Sequence, residues 1–534
     1  MSQIQVVDLT FAYEGSFDFV FEHVSFSVDS DWKLGLIGRN GKGKTTLLRL
    51  LLGEYPYGGT ISASVAFDYF PYPVPEEKKG MCLWELMGEL KPESEEWRVI
   101  CELGKLGLSA ELMYRPFGTL SHGERTKALL ALLFSGENDF LLVDEPTNHL
   151  EQESRETVKA YLKGKKGFIL VSHDRDLLDE CTDHVLVLNR QSIEVQAGNF
   201  SSWWENKARQ DHFAQMENEK HLREIASLKK AAARSSRWAE KSEGSKIGFD
   251  PIKDPGHGGK RAYIGGKTKK LEKRAKQFER RMEQEIKAKE GLLADIEEPV
   301  SLKLAGLPAP GKGDGQSAGQ RGLKAYHKER LVYGRDLFLG YGGSGKGVLE
   351  NFSFELRQGE RVFLCGRNGS GKSTVIKAIL AALGRPQVDA PQVLSGQLHG
   401  GSGLVVSYVS QDASFLKGSI KGFCRERGLE ESLFCAVLRQ LDMDRAQFAK
   451  NMEEFSEGQK KKVLLAASLM TPAHLYIWDE PLNYIDVFSR MQLEELLLAY
   501  QPTMLLVEHD VRFRQKIATR VIQLSPKTTV TFVE

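Results

Sequence analysis

Two stretches of this chain can wrap backbone N–H groups around a phosphate chain. They are Gly38, Arg39, Asn40, Gly41, Lys42, Gly43, Lys44, Thr45 and Gly366, Arg367, Asn368, Gly369, Ser370, Gly371, Lys372, Ser373. Both fit G-x-x-x-x-G-K-[ST], in which glycines let the backbone close on phosphate oxygens. Lys44 and Lys372 are placed to reach the β- and γ-phosphates. Thr45 and Ser373 present hydroxyls to Mg²⁺, and Thr46 and Thr374 stand next to them. Each half then repeats the same series of partners. An apolar run delivers Asp144 or Asp479 to the metal, and Glu145 or Glu480 follows directly, in position to polarise an attacking water. His173 and His509 come later, at nearly matched offsets. A lone histidine after a strand is usually structural; a matched pair points to a role at the γ-phosphate. Ser121 with Gly123, and Ser456 with Gly458, form Ser-x-Gly turns whose helix N-termini favour an anion. A helix N-cap reads the same way, so it is the repetition in both halves that gives these turns their weight. Tyr13 and Tyr341 lie at the same distance ahead of the two loops.

The elements that must position these residues are also legible. Leu34 to Ile37 and Val362 to Cys365 read as strands entering the loops, with helices from Thr46 and Thr374 leaving them. Leu141-Leu142-Val143 and Leu475-Tyr476-Ile477-Trp478 are continuous apolar runs, as in a sheet covered on both faces. The fold class is therefore α/β: two tandem nucleotide-binding domains, over 1–202 and 299–534. From 203 to 298 the text is polar and helical. Leu271, Ala275, Phe278, Met282 and Ile286 form a coiled-coil-like stripe. A Gly- and Pro-containing break, about 244–266, makes the tip of a helical hairpin whose arms reach roughly 45–60 Å. A second Gly/Pro stretch, Gly306 to Gly322, reads as a flexible loop.

The chain has 534 residues, 41% apolar and 27% charged, with a net charge of +1. That balance hides an asymmetry: residues 223–276 hold 16 Lys/Arg against 6 Asp/Glu, a net +10, so the remainder is acidic. A solvated coiled coil carries charges too, but this basic bias surrounds a glycine-rich tip with interleaved aromatics, which suits a polyanion. The six cysteines are scattered without C-x-x-C spacing, as expected of reduced thiols in a cytoplasmic protein. No signal peptide and no membrane-spanning run is expected.

The ordered set of aromatic, phosphate loop, Ser-x-Gly, Asp-Glu and His resembles the ATP-binding-cassette ATPases. The text Asp144-Glu145-Pro146-Thr147-Asn148-His149-Leu150, the paired cassettes and the helical linker resemble the ABC-F family, over essentially the whole chain. That resemblance implies ATP and Mg²⁺ as ligands, a monomer with its cassettes paired head to tail, and two shared sites. Lys44, Glu145 and His173 would meet Ser456 and Gly458; Lys372, Glu480 and His509 would meet Ser121 and Gly123.

The pattern is not followed throughout. Gln411 supplies the glutamine the family uses near the metal, whereas Tyr72 stands in its place in the first half, and tyrosine has no carbonyl to offer. Glu151 replaces an aspartate that the second half keeps as Asp486. His122 and Glu457 replace a glycine. The two sites are thus expected to be unequal, the first turning over more slowly. The expected metal set is Thr45, Asp144, Ser373, Gln411 and Asp479.

Three roles compete for such an engine. A transporter subunit leaves the basic hairpin without a purpose. In a DNA-repair type ATPase the coiled coil interrupts a cassette, whereas here it follows a complete one. A translation factor uses every part. The resemblance then implies a ribosome-associated ATPase, its linker near the peptidyl-transferase centre of the large-subunit rRNA. Docked in the exit-site region, it would displace P-site tRNA. Lys246, Phe249, Lys253, His257, Lys260, Arg261, Tyr263 and Lys267 are the expected RNA contacts. The opening Trp32 to Gly41 and the run Asp479 to Asp486 look like the antibiotic-resistance branch, most like its lincosamide, streptogramin A and pleuromutilin members. The alternative is a housekeeping factor that relieves stalled ribosomes.

Overall fold

A computed structural model describes residues 2–15, 19–137, 139–148, 150–189, 192–244, 273, 277, 280–282, 302–304, 326–341, 347–385, 389–524 and 531–533. The chain divides into two units, one of Met1–Ser201 with Pro299–Glu534 and one of Ser202–Glu298.

In the first unit the same architecture occurs twice. The first cassette opens on an antiparallel sheet of β1 (Gln3–Phe11), β2 (Phe21–Asp29) and β4 (Gly58–Ser62), in the order β2-β1-β4. Its second sheet holds β3 (Lys33–Ile37), β5 (Ala66–Phe70), β6 (Asp139–Asp144), β7 (Phe168–Val171), β8 (His184–Leu188) and β9 (Ile193–Ala197). The order is β5-β6-β7-β3-β8-β9, parallel except for the last pair. The helices are α1 (Lys44–Leu51), α2 (Leu83–Leu90), α3 (Glu96–Lys105), α4 (His122–Leu133), α5 (Gln152–Lys163) and α6 (Arg175–Cys181).

The second cassette repeats this after α7 (Phe200–Gly244). A sheet of order β11-β10-β13 uses β10 (Arg330–Gly340), β11 (Gly347–Arg357) and β13 (Gln392–Gly400). The larger sheet, β14-β15-β16-β12-β17-β18, is built from β12 (Arg361–Cys365), β14 (Val406–Val409), β15 (Leu475–Asp479), β16 (Met504–Val507), β17 (Arg520–Gln523) and β18 (Thr531–Val533). Its helices are α8 (Lys372–Ala382), α9 (Ile420–Arg427), α10 (Glu431–Gln440), α11 (Glu457–Met470), α12 (Val487–Tyr500) and α13 (Val511–Ile517). The apolar runs are buried because both faces of these sheets are covered: every residue of β15 and β7 is buried. Trp478 and Tyr476 pack on one side with Phe434, Leu465 and Phe513, and Leu475 and Ile477 on the other with Leu339, Ile376 and Leu505. Parallel strands end along one edge, so the loops carrying chemistry all emerge there.

The second unit is represented by α7, 45 residues long, or about 68 Å at 1.5 Å per residue, and by helical residues 273, 277 and 280–282. The tip residues Lys246, Phe249, Lys253, His257, Lys260, Arg261, Tyr263 and Lys267 lie outside the described residues, as does the Gly306–Gly322 stretch. Among the described residues no helix is long and apolar enough to cross a membrane.

The cassettes are tied together by charges at the start of α6 and α13. Arg175 donates through Nη1 to Glu494 Oε2 at 3.2 Å and through Nη2 to Oε1, both side chains 4% exposed. Lys516 adds a bond to Glu494 of 3.1 Å. Arg512 answers from the other cassette, pairing with Asp176 and, at 2.7 Å, with Asp179. A buried charge whose partner is removed costs about 3–5 kcal/mol. Arg175→Met is therefore expected to lower the thermal unfolding midpoint, and adding Glu494→Gln is expected to recover part of the loss. Scanning calorimetry checks both; an unchanged midpoint in the single variant would show that this pair does not hold the cassettes.

Candidate ATP sites

Each phosphate loop sits where the central strand, β3 or β12, turns into a helix. Gly43 and Gly371 occupy the turn with φ of 92° and 95°, in the left-handed region that only glycine enters cheaply. A Cβ at either would lie 2.7 Å from Val20 or Leu349. Lys44 Nζ donates to Gly38 O at 2.7 Å and Asn40 Oδ1 at 3.2 Å; Lys372 Nζ donates to Gly366 O at 2.7 Å and Arg367 O at 3.1 Å. Both ammonium groups are thus held at the mouth of their own loop. Burial pushes both below the usual lysine range. Tyr13 shares a 2.7 Å hydrogen bond with Thr46, and Tyr341 a 3.3 Å one with Thr374. Both side chains remain exposed.

Asp144 and Asp479 end strands β6 and β15, two places along the sheet from β3 and β12. Thr45 Oγ1 donates to Asp144 Oδ2 at 3.2 Å, and Ser373 bonds Asp479, whose Oδ1 is buried with no hydrogen-bond partner. Burial, then Glu480, pushes the Asp479 carboxyl up to about 6. A hydroxyl beside an orphaned carboxylate oxygen fits a hard cation, which supplies charge neutralisation at the phosphates when bound. Glu145 and Glu480 take φ of 50° and 48°, strained for a residue with a side chain. Each is pinned there by an N–H bond of 2.9 Å to the next strand, at Val171 O and Val507 O. His173 Nε2 lies 3.4 Å from Glu145 Oε1, and His509 Nε2 3.5 Å from Glu480 Oε1. The structure thus gathers loop, aspartate, glutamate and histidine at each sheet edge.

The two sites differ in charge. Burial, then Asp144, raises the Glu145 carboxyl to about 8. Burial also depresses His173 well below its usual value, helped by Lys44 and Arg490. At Glu480 burial acts upward too, but His509, Asn483 and Lys372 outweigh it and leave the carboxyl low. Gln411 Nε2 donates to Glu480 Oε2 at 2.8 Å, and Asn483 Nδ2 to the same oxygen at 2.7 Å.

The strand register places Tyr72 and Gln411 at equivalent positions. Tyr69 pairs with Leu142 and Tyr408 with Ile477, each two residues before the aspartate, so Tyr72 and Gln411 occupy the same step. Tyr72 is engaged with its own strand: its Oη donates to Asp68 Oδ2 at 2.5 Å. Lys91 Nζ closes that cluster at 2.7 Å from both Asp68 and Asp139. Tyr69 reaches Asp144 instead, at 3.2 Å, a contact the sequence alone did not suggest. Glu151 is similarly changed. Asp486 is fully buried and caps α12 through Ser489 N and Oγ, both at 2.9 Å, whereas Glu151, one methylene longer, makes no side-chain cap on α5.

A cavity of about 460 Å³ lies at the second loop, lined by Asn368, Gly369, Gly371, Lys372, Ser373, Thr374, Gln411, Glu480, Asn483 and His509. From the other cassette come Leu150 and Arg155. Ser121 and Gly123, expected there, do not line it. Ser121 is engaged as the N-cap of α4, accepting from Glu124 N at 3.2 Å while Glu124 accepts from Ser121 N at 2.7 Å. Ser456 caps α11 in the same way through Gln459. At the first loop the partners across the cassettes are Asp442, 3.3 Å from Arg39, and Tyr484, whose carbonyl accepts from Asn40 at 3.2 Å. Tyr484 O also lies 2.8 Å from where a Cβ on Gly458 would stand. Arg155, Arg490 and Asp442 were not legible in the sequence, because nothing in their local pattern marks them.

The ABC transporter family model matches residues 21–148 and 349–483. The ribosome protection protein VmlR of Bacillus subtilis is 28% identical over 98% of this chain and 87% of its own length. ABC transporter F family member 2 of Arabidopsis thaliana is 25% identical over 98% of this chain and 76% of its own. The fold is shared with an archaeal ribosome recycling factor, aABCE1, solved in complex with the ribosomal stalk protein aP1, at a TM-score of 0.59 and 18% identity, covering 98% of this chain and 89% of that one. Two matched cassettes, each with its loop, acid pair and histidine assembled, and likenesses that run through the intervening helical segment make this chain an ATPase of the ABC-F family.

Proposed function

We propose that this ATPase is a cytoplasmic ribosome-protection factor that uses ATP to dock on the ribosome and hydrolysis to leave it. The observation that carries the reading is that the likeness to VmlR covers 98% of the chain, including the helical segment between the cassettes. The +10 charge over 223–276 supports it, because a segment of that sign is drawn to RNA phosphates. Residues 1–202 and 299–534 form the engine, and 203–298 the arm that enters the peptidyl-transferase region, displaces P-site tRNA and dislodges lincosamide, streptogramin A or pleuromutilin drugs. Lys246, Lys253, Lys260, Arg261 and Lys267 would follow phosphates, with His257 nearby and Phe249 and Tyr263 available to stack on bases.

In each site the phosphate loop binds the triphosphate, and Tyr13 or Tyr341 covers the adenine. Thr45 with Asp144, and Ser373 with Asp479 and Gln411, would hold Mg²⁺. Glu145 and Glu480 orient water toward the γ-phosphate, and His173 and His509 hold the terminal oxygens. Ser121, Gly123, Ser456 and Gly458 close on the nucleotide from the opposite cassette, so closure follows ATP and opening follows its loss. The Tyr72–Asp68 bond removes from the first site the side chain that Gln411 contributes to the second, which favours slower turnover in the first.

Two measurements check this. Glu480→Gln is expected to remove most of the steady-state ATPase and Glu145→Gln less; equal losses would argue against unequal sites. The double variant with ATP is expected to co-sediment with ribosomes, and deletion of 244–266 is expected to keep that binding but abolish drug protection in growth assays. Absence of ribosome trapping would overturn the translation reading; trapping without altered drug sensitivity would point to housekeeping.

A further inference from the structure

The helices that follow the two acidic turns carry an arginine at the same place. Arg155 lies in the first turn of α5 and Arg490 in the first turn of α12. Each donates Nε to the carbonyl five residues earlier, Leu150 O and Ile485 O, both at 2.9 Å. Their remaining donors differ. Arg490 is 9% exposed, and its other nitrogens are used: Nη2 donates to Leu482 O at 3.0 Å and Nη1 to Asp510 Oδ2 at 3.3 Å. Arg155 is half-buried, and among the described residues none accepts from its Nη groups. It lines the cavity of the second phosphate loop together with Asn368, Lys372, Glu480 and His509, all from the other cassette.

We propose that Arg155 is a catalytic residue of the second ATP site, supplied in trans, whose Nη groups bind the γ-phosphate held by Lys372. This rests on reading Lys372, Glu480 and His509 as an ATP site. The Nε–Leu150 bond fixes the plane of the guanidinium, and the two Nη groups present the fork that matches a phosphoryl edge. In the step itself the water oxygen forms a bond to the γ-phosphorus as the bond to the β–γ bridging oxygen breaks. The bridging oxygen leaves on ADP with the electron pair, and the water proton passes to the Glu480 carboxylate. As that bond breaks, negative charge is spread over the γ-phosphoryl oxygens and the leaving oxygen, and a guanidinium fixed at the γ-phosphate stabilises it. Because the residue comes from the opposite cassette, hydrolysis in the second site requires the first cassette to be in place.

A bracing role at the Leu150 turn is the competing explanation, and site-selective kinetics separates the two. In full-length Glu145→Gln protein, turnover reports the second site; in Glu480→Gln protein, it reports the first. Arg155→Ala is expected to lower kcat at least ~10-fold in the Glu145→Gln background, with a markedly smaller loss in the Glu480→Gln background. Binding of a fluorescent ATP analogue is expected to change by less than ~3-fold. Arg155→Lys, which keeps the charge and loses the fork, is expected to fall between the two and serves as the test if the alanine variant is unstable. Equal losses in both backgrounds, or an undiminished kcat in the Glu145→Gln background, would overturn the proposal. If Glu480→Gln by itself leaves ATPase unchanged, the reading of the second site fails, a separate result.

Discussion

A triphosphate held by backbone N–H groups must meet them at the start of a helix, and a helix that starts at a sheet edge must be fed by a strand. That constraint fixes most of the cassette. β3 and β12 run into the loops, and Gly43 and Gly371 take left-handed φ where a Cβ would strike Val20 or Leu349. The acidic strands lie one place further along the sheet, with the histidine strands between them and the loop strands. Asp144, Glu145 and His173 therefore arrive at one edge because parallel strands end together, and no side chain has to reach far.

The strain at the two glutamates follows from the same arrangement. Glu145 and Glu480 leave their strands in the left-handed region, held by N–H bonds to Val171 and Val507. Turning the chain there aims the carboxylate along the sheet edge toward the loop instead of away from it. The surrounding buried strands supply the packing that tolerates a strained residue. Where the local partners differ, the same backbone gives different electrostatics. Glu480 is surrounded by His509, Asn483, Gln411 and Lys372, which favour its charged form. Glu145 sits beside the Asp144 carboxylate and a His173 kept neutral by burial.

Legibility in the sequence followed the range of the interaction. The phosphate loops are consecutive residues, and their chemistry is local, so spacing alone identifies them. The strands were legible because a buried parallel strand must be apolar throughout. The substitution of Tyr72 for Gln411 was legible as a change, but its consequence was not: the hydroxyl could have stood free, and it is Asp68 and Lys91, brought together by β5 and the end of α2, that engage it. Ser121 and Ser456 show the same limit. Their Ser-x-Gly pattern serves a helix cap and an anion site equally well, and the capping box is what their hydroxyls satisfy in this fold.

By itself the sequence determined that this chain is two copies of one nucleotide-binding engine with a basic helical arm between them, because those properties reside in contiguous segments and in charge that can be counted. Tertiary structure decided which residues face each other across the copies. Arg155 at the second loop, Asp442 and Tyr484 at the first, and the Arg175–Glu494 bond are partners separated by hundreds of residues. Nothing in either member's local sequence says which residue it will meet. Their meeting is settled by the packing of one cassette on the other, where a buried charge must find its counter-ion or lose its solvation uncompensated.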